Sequence, residues 1–211
     1  MTDLREANRT ERLALADLFS SLDAAALATP SLCAGWSVGD VLAHLVTPYL
    51  VSPARVVREA IRQRSFAAAM VAVLGEVHRH SFDEQVEALR AHADRPFVPP
   101  LLGLGAPLTD AVVHGEDVRV PLGRARDVPA EHLQAVLDFG TSWRASPVFI
   151  PRGRLSGLRL VATDLDWSHG SGDEVRGPAV QLVRSLYGRI GAATGIEGPG
   201  AATLRARVGH R

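Results

Sequence analysis

No lysine occurs in the 211 residues; the 23 basic side chains that balance 23 aspartates and glutamates are all arginine. The formal net charge is zero, so the general basic footprint of a nucleic-acid binder is missing. An all-arginine set favours planar, two-pronged contacts with carboxylates and phosphates, and is equally what a GC-rich genome writes. Cysteine is almost as scarce. Cys33 stands alone, which excludes an intrachain disulfide and every zinc site built on two or more cysteines. Any metal is therefore expected on His, Asp or Glu. Long apolar runs are lacking too: the stretch Ala67 to Leu74 falls far short of the ~20 residues that a membrane-spanning helix needs. Residues Met1 to Glu6 lack the basic-then-apolar pattern of a signal peptide. These absences predict a cytoplasmic protein with no membrane partner. What is present, 46% hydrophobic and 22% charged residues, excludes disorder and collagen-like repeats.

Residues 1–146 read as helices separated by short breaks, and residues 147–211 as glycine-punctuated, strand-like segments, which places a domain boundary near Pro147. Leu15, Leu18, Phe19 and Leu22 recur at helical spacing on one stripe. The segment Asp23 to Thr29 fades into a loop. Ser37 and Asp40 then form a helix start, a hydroxyl and a carboxylate three residues apart that satisfy open amides, and the helix runs to about Val46. Pro48 and Pro53 are expected to break or kink the path. Further helices are predicted over 54–64, 66–80, 82–93, 108–120 and 129–143, so the first part reads as an antiparallel helical bundle. Beyond Pro151, Leu158, Leu160 and Ala162 alternate with other residues at the period of a strand. Residues 170–173 carry turn chemistry, 174–176 read as a second strand, and Gly177-Pro178 opens a helix with Ala179, Leu182, Val183 and Leu186 on one face. Leu204, Ala206 and Val208 read as a third strand or a disordered tail.

Asp110, His114 and Asp117 are spaced i, i+4 and i+7, so a helix projects all three within about 60° of one another. His44 lies at the margin of the apolar face made by Val41, Leu42 and Leu45. Two imidazoles and a carboxylate from two helices make a three-ligand site for zinc or a similar divalent ion, with a position left open for catalysis or substrate. The competing reading is a helix-surface hydrogen bond plus a satisfied core histidine. The other six histidines read as surface residues, Cys33 as packing at the start of the helix, and Trp36 as a bundle anchor. No G-x-S-x-G elbow, P-loop or dinucleotide fingerprint is present, so nucleotide-dependent chemistry is unsupported.

Three blocks, in order, are similar to a known family. They are PSLCAGWSVGDVLAHL from Pro30 to Leu45, DAVVHGEDVRVPLG from Asp110 to Gly123, and Leu158 to Asp164 continued by Trp167, Gly177 to Ala179 and Gly188-Arg189. They resemble the mycothiol-dependent maleylpyruvate isomerase family. The resemblance implies a mainly α fold, a DinB-like antiparallel four-helix bundle followed by a small C-terminal α+β unit. It also implies His44 as first metal ligand, Asp110 as the acidic ligand of a Glu-x-x-x-His pair, and His114 as second histidine. Aspartate in place of glutamate is a departure, shorter by one methylene, which keeps Asp117 as a fallback ligand or supporting group. In larger family members a C-terminal domain supplies an arginine to the substrate. Here that place falls to Arg189, with Arg176 as alternative.

The implied cofactors are a divalent metal, zinc first, and the thiol mycothiol as cosubstrate. The implied reaction is attack of that thiol on an electrophilic small molecule. In an isomerase the thiolate adds to a cis double bond, the single bond rotates and elimination returns the trans product; in an S-transferase the adduct is released. The expected assembly is a monomer or homodimer. A non-catalytic metal-binding interaction module and a metal-dependent hydrolase are the alternatives.

Overall fold

The computed structural model describes residues 2–146, 149–189, 191 and 193–209. Helices dominate, and a small three-stranded sheet lies near the C-terminus. The chain divides into two compact units that do not follow sequence order. One comprises Arg5–Phe97 with Asp117–Arg124, the other Met1–Leu4, Val98–Glu116 and Ala125–Arg211. The boundary expected at Pro147 falls on a residue outside those described.

The first unit holds α1 (Leu4–Ser20), α2 (Ala24–Ala28), α3 (Val38–Leu50), α4 (Pro53–Gln63), α5 (Phe66–Val77) and α6 (Phe82–Ala91), together with the last turn of α7 (Gly105–Arg119). Its helix starts are chemically explicit. Ser37 and Asp40 form a reciprocal capping box at α3, Ser81 and Glu84 another at α6, and Ser52 and Ser65 each accept from the amide three residues on. Asp23 does the same for α2, turning a segment expected to be loop into a short helix. Leu15, Phe19, Val41, Leu42, Leu45, Val73, Val77 and Leu89 are buried in this unit, where α3 packs on α5 and α6. α3 runs through Pro48 to Leu50 and does not stop near Val46. So close to the helix end a proline forfeits only one helical hydrogen bond, and burial of Leu45, Val46 and Thr47 outweighs that loss. On α4 the carboxylate of Glu59 is only 3% exposed, covered by Arg55, Arg62 and Gln63. Their hydrogen bonds, those from Arg62 first, hold its pKa down at about 2.

The second unit holds the rest of α7, then α8 (Ala130–Thr141), β1 (Leu158–Ala162), β2 (Ser168–Gly170), β3 (Asp173–Gly177), α9 (Ala179–Leu186) and α10 (Ala201–Gly209). The sheet order is β2-β1-β3, with β2 antiparallel and β3 parallel to β1. The chain thus passes from one edge of β1 to the other within Ser171-Gly172. Gly172, at φ +120°, allows this: a Cβ there would sit 2.2 Å from the Gly157 carbonyl oxygen. Asp164 accepts a hydrogen bond from the Ala179 amide at 2.7 Å and so caps α9, whose own N-cap residue Pro178 has no capping side chain. α9 lies along α8, where the Tyr187 hydroxyl donates to the Val136 carbonyl and the Trp167 indole N–H to Asp138. Burial pushes the Tyr187 hydroxyl pKa well above its ordinary value. Gly140 makes room for that ring, since a Cβ would lie 2.6 Å from the Tyr187 oxygen.

The last segment is neither strand nor tail. Ala201, Leu204 and Val208 are buried at helical spacing while Ala206 is exposed, and the residues form α10. A period of two had been read where three and four apply. Among the described residues no helix is long and apolar enough to cross a membrane. Leu204→Ala should cost about 2–5 kcal/mol in denaturant unfolding. Ala206→Ser should change stability by less than about 0.5 kcal/mol; equal costs at both positions would point to a strand.

Candidate metal centre

Three segments supply the groups. The first is the loop from Pro30 to Ser37, closed on itself by a Pro30–Ser37 bridge, by the Ser31 amide on the Trp36 carbonyl at 2.9 Å and by the Trp36 amide on the Cys33 carbonyl at 3.0 Å. Gly35, at φ +79°, makes that tight reversal. The loop is fixed further where the Leu32 amide donates to the Asp117 carbonyl at 3.1 Å. The Cys33 thiol donates to Asp117 Oδ2 at 3.0 Å.

The second segment is the start of α3. Asp40 Oδ2 accepts from the Ser37 amide at 2.8 Å and from its hydroxyl at 2.7 Å, and Asp40 Oδ1 lies 2.8 Å from His78 Nε2. Partial burial works to raise the Asp40 pKa, but Ser37 and His78 outweigh it and hold the carboxyl below its usual value. This fixed first turn carries His44 on the next, its ring 5.2 Å from that of Trp36. Trp36 therefore stands beside the candidate ligand, and the half-buried indole is more than a bundle anchor.

The third segment is α7. Ala111, Val112, Val113 and Val118 are all buried, and Asp110, His114 and Asp117 share the remaining face of the helix. His114 Nε2 lies 3.4 Å from Asp110 Oδ1, with the side chains 12% and 31% exposed. Asp117 is fully buried. His44, Asp110 and His114 each offer one ligand atom, all within 4.8 Å of one another, and so do Cys33, His114 and Asp117. Around a tetrahedral zinc, nitrogen and oxygen donors stand roughly 3.3 Å apart. Asp110 and His114 already have that spacing, so imidazole and carboxylate groups here suit a zinc-like ion.

Arg189 donates from Nη1 to the Tyr187 carbonyl in its own turn, and Arg176, half exposed on β3, pairs with Glu174 at 3.1 Å. Sequence reasoning missed Arg184 on α9, which clasps Glu116 of α7 through Nε at 2.9 Å and through Nη2. Glu116 is 4% exposed. The available signal was the apolar character of much of α7, which demands partners for the charges it carries. His132, read as a surface residue, is 6% exposed.

Fold and site together define a helical domain with a histidine–carboxylate cluster. Residues 9–112 match the family model described as the mycothiol maleylpyruvate isomerase N-terminal domain. The match takes in Cys33, His44 and Asp110 and ends two residues before His114. No curated protein matches the chain. Among solved structures, a crystal structure of the mycothiol-dependent maleylpyruvate isomerase is similar at a TM-score of 0.61 and 15% identity, covering 94% of this chain and 92% of that one. A histidine-to-alanine variant of that enzyme is similar at a TM-score of 0.53 and 16% identity, with the same coverage. The likeness in fold thus extends past residue 112 into the C-terminal segments.

The capping box makes a pH-dependent contribution. Because the Asp40 pKa is depressed in the folded state, its stabilisation is complete at neutral pH and is lost as pH falls through the ordinary carboxylate range and below. Ser37→Ala should cost about 1 kcal/mol at neutral pH. In urea unfolding repeated at progressively lower pH, the difference between wild type and variant should shrink. Parallel curves down to acid pH would show that Asp40 does not draw on Ser37.

Proposed function

We propose that the protein is a metal-dependent enzyme that uses mycothiol to attack an electrophilic small molecule, as an isomerase or S-transferase, with His44, Asp110 and His114 as the metal ligands. The observation that carries this reading is the meeting, within 4.8 Å, of His44 with an Asp110–His114 pair that lies far later in the sequence. The family assignment of residues 9–112 supports the choice of mycothiol. A divalent metal, with zinc suited to these donors, lowers the pKa of a coordinated thiol and holds its sulfur as thiolate at neutral pH.

The chain's own residues do the rest. The Ser37–Asp40 cap fixes the first turn of α3, Trp36 walls the ring of His44, and Asp110 and His114 present their side chains together from successive turns of α7. Arg189 is the proposed partner of a substrate carboxylate, its guanidinium steadied by the Tyr187 carbonyl. The activity is assigned to the reducing cytoplasm, with mycothiol and the electrophile as small-molecule partners and a monomer or homodimer as the assembly. A transferase or isomerase of other substrates is favoured over maleylpyruvate isomerisation itself, because Asp110 stands where the family resemblance implies glutamate.

Zinc reconstitution should load about one ion per chain, and the His44→Ala, His114→Ala double variant should load almost none. Mycothiol conjugation to a generic electrophile should be accelerated by the loaded protein and fall to the uncatalysed rate when metal is stripped. Equal metal in wild type and double variant would overturn the ligand set. Turnover of an ester without thiol would replace the thiol chemistry with hydrolysis, and metal loading without any turnover would leave a binding module.

A further inference from the structure

α4 is turned against the usual order of a surface helix. At 100° per residue Ala54, Val57 and Ile61 form one stripe, and Glu59 stands on the opposite side. The fold buries the glutamate and leaves Val57 58% and Ile61 73% exposed. α4 rests on α5, where Arg55 spans the two helices, holding Glu59 at 2.7 Å and Glu76 of α5 at 2.6 Å. The ion pairs thus keep the polar side inward and the aliphatic side outward. Burying the stripe and solvating the carboxylate would each favour the reverse orientation, so the outward stripe calls for a cover.

We propose that α4 lies on anionic lipid surfaces, with Ala54, Val57 and Ile61 entering the boundary between headgroups and acyl chains and Arg58, Arg62 and Arg64 set on the headgroup phosphates. The inference is independent of the metal-centre reading.

Charge selects this occupant. From Pro53 to Val77 the sequence holds four arginines and two glutamates. Both glutamates are engaged, Glu59 by Arg55 and Arg62, and Glu76 by Arg55. Arg58 is exposed about 60° round the helix from Ile61, on the flank of the stripe. Arg64 caps the helix at an exposed turn, and the Arg62 side chain is 68% exposed although it bonds Glu59. The exposed charge beside the stripe is therefore positive, and guanidinium groups match phosphate in planar, two-pronged contacts. A second copy of the chain would set this patch against itself, arginines included. The stripe also stands on one outward helix with cations at its side, the arrangement of a helix that lies in a membrane interface. An 11-residue helix buries little apolar area, so the attachment is weak, reversible and salt-sensitive. The absence of a spanning helix among the described residues does not bear on a helix that lies on the surface.

Sedimentation of the full chain with vesicles tests this. Phosphatidylcholine vesicles should leave it in the supernatant, whereas vesicles with about a third phosphatidylglycerol should pull it down at low salt. The bound fraction should fall severalfold as salt approaches about 1 M and screening shortens to about 3 Å. The Val57→Ser, Ile61→Ser and the Arg58→Glu, Arg64→Glu double variants should each weaken binding by about tenfold or more. All four positions are exposed, so both variants should keep the wild-type melting temperature. On unmutated protein, phosphatidylglycerol vesicles should slow tryptic cleavage after Arg64 severalfold, and phosphatidylcholine vesicles should not. No binding to phosphatidylglycerol vesicles, full binding by the serine double variant, or an unchanged rate of cleavage would overturn the proposal. A concentration-dependent dimer that the serine double variant abolishes would overturn it in favour of a second copy. Capture by an acidic amphipathic peptide without vesicle binding would overturn it in favour of a protein partner.

Discussion

Charges on a helix that is mostly buried must find partners, and α7 carries Asp110, His114, Glu116 and Asp117 within two turns. The structure answers each demand from a different place. Glu116 takes the guanidinium of Arg184 from α9, Asp117 takes the Cys33 thiol from the 30–37 loop, and Asp110 faces His114 along the helix itself. Taking away Arg184, the partner of the buried Glu116, would leave an uncompensated charge, at a cost of roughly 3–5 kcal/mol. The segments that supply the partners are therefore bound to α7 by charge as much as by packing.

What the sequence could reveal followed from how local each signal was. The Ser37–Asp40 and Ser81–Glu84 capping boxes are contained in four residues each, and both helix starts were readable. Asp110 and His114 were recognisable as a pair because one helical turn separates them. Cys33 and Asp117 are 84 positions apart, and no periodicity reports such a distance, so the sequence alone shows the thiol only as packing at a helix start. β2 escaped because all three of its residues are exposed and strand alternation has nothing to mark. α10 was misread because Leu204, Ala206 and Val208 alternate by chance, and only burial of Ala201 and exposure of Ala206 reveal the helical period.

The absence of lysine acquires a structural meaning at Glu59. An ammonium group is a compact point charge, whereas each guanidinium presents several N–H donors in a plane. Arg55 fills one oxygen of Glu59 and reaches on to Glu76, while Arg62 and Gln63 fill the other. A carboxylate covered by its own helix neighbours is thereby kept ionised with little help from solvent. Arg184 treats Glu116 in the same way, with two nitrogens on a single oxygen.

Pro48 has a bearing on His44 that reaches beyond the length of α3. In a helix the amide of residue 48 would bond the carbonyl of residue 44, and proline has no N–H to give. The turn that begins at His44 is consequently tied by one backbone bond fewer than the turn before it, and the proline ring presses on that same carbonyl. The mechanical compliance of α3 is thus concentrated at the residue that carries the imidazole, while Ser37 and Asp40 clamp the turn ahead of it. Such a helix yields first at His44, whose ring can follow a small shift of its surroundings without dragging the buried stripe of Val41, Leu42 and Leu45 out of register.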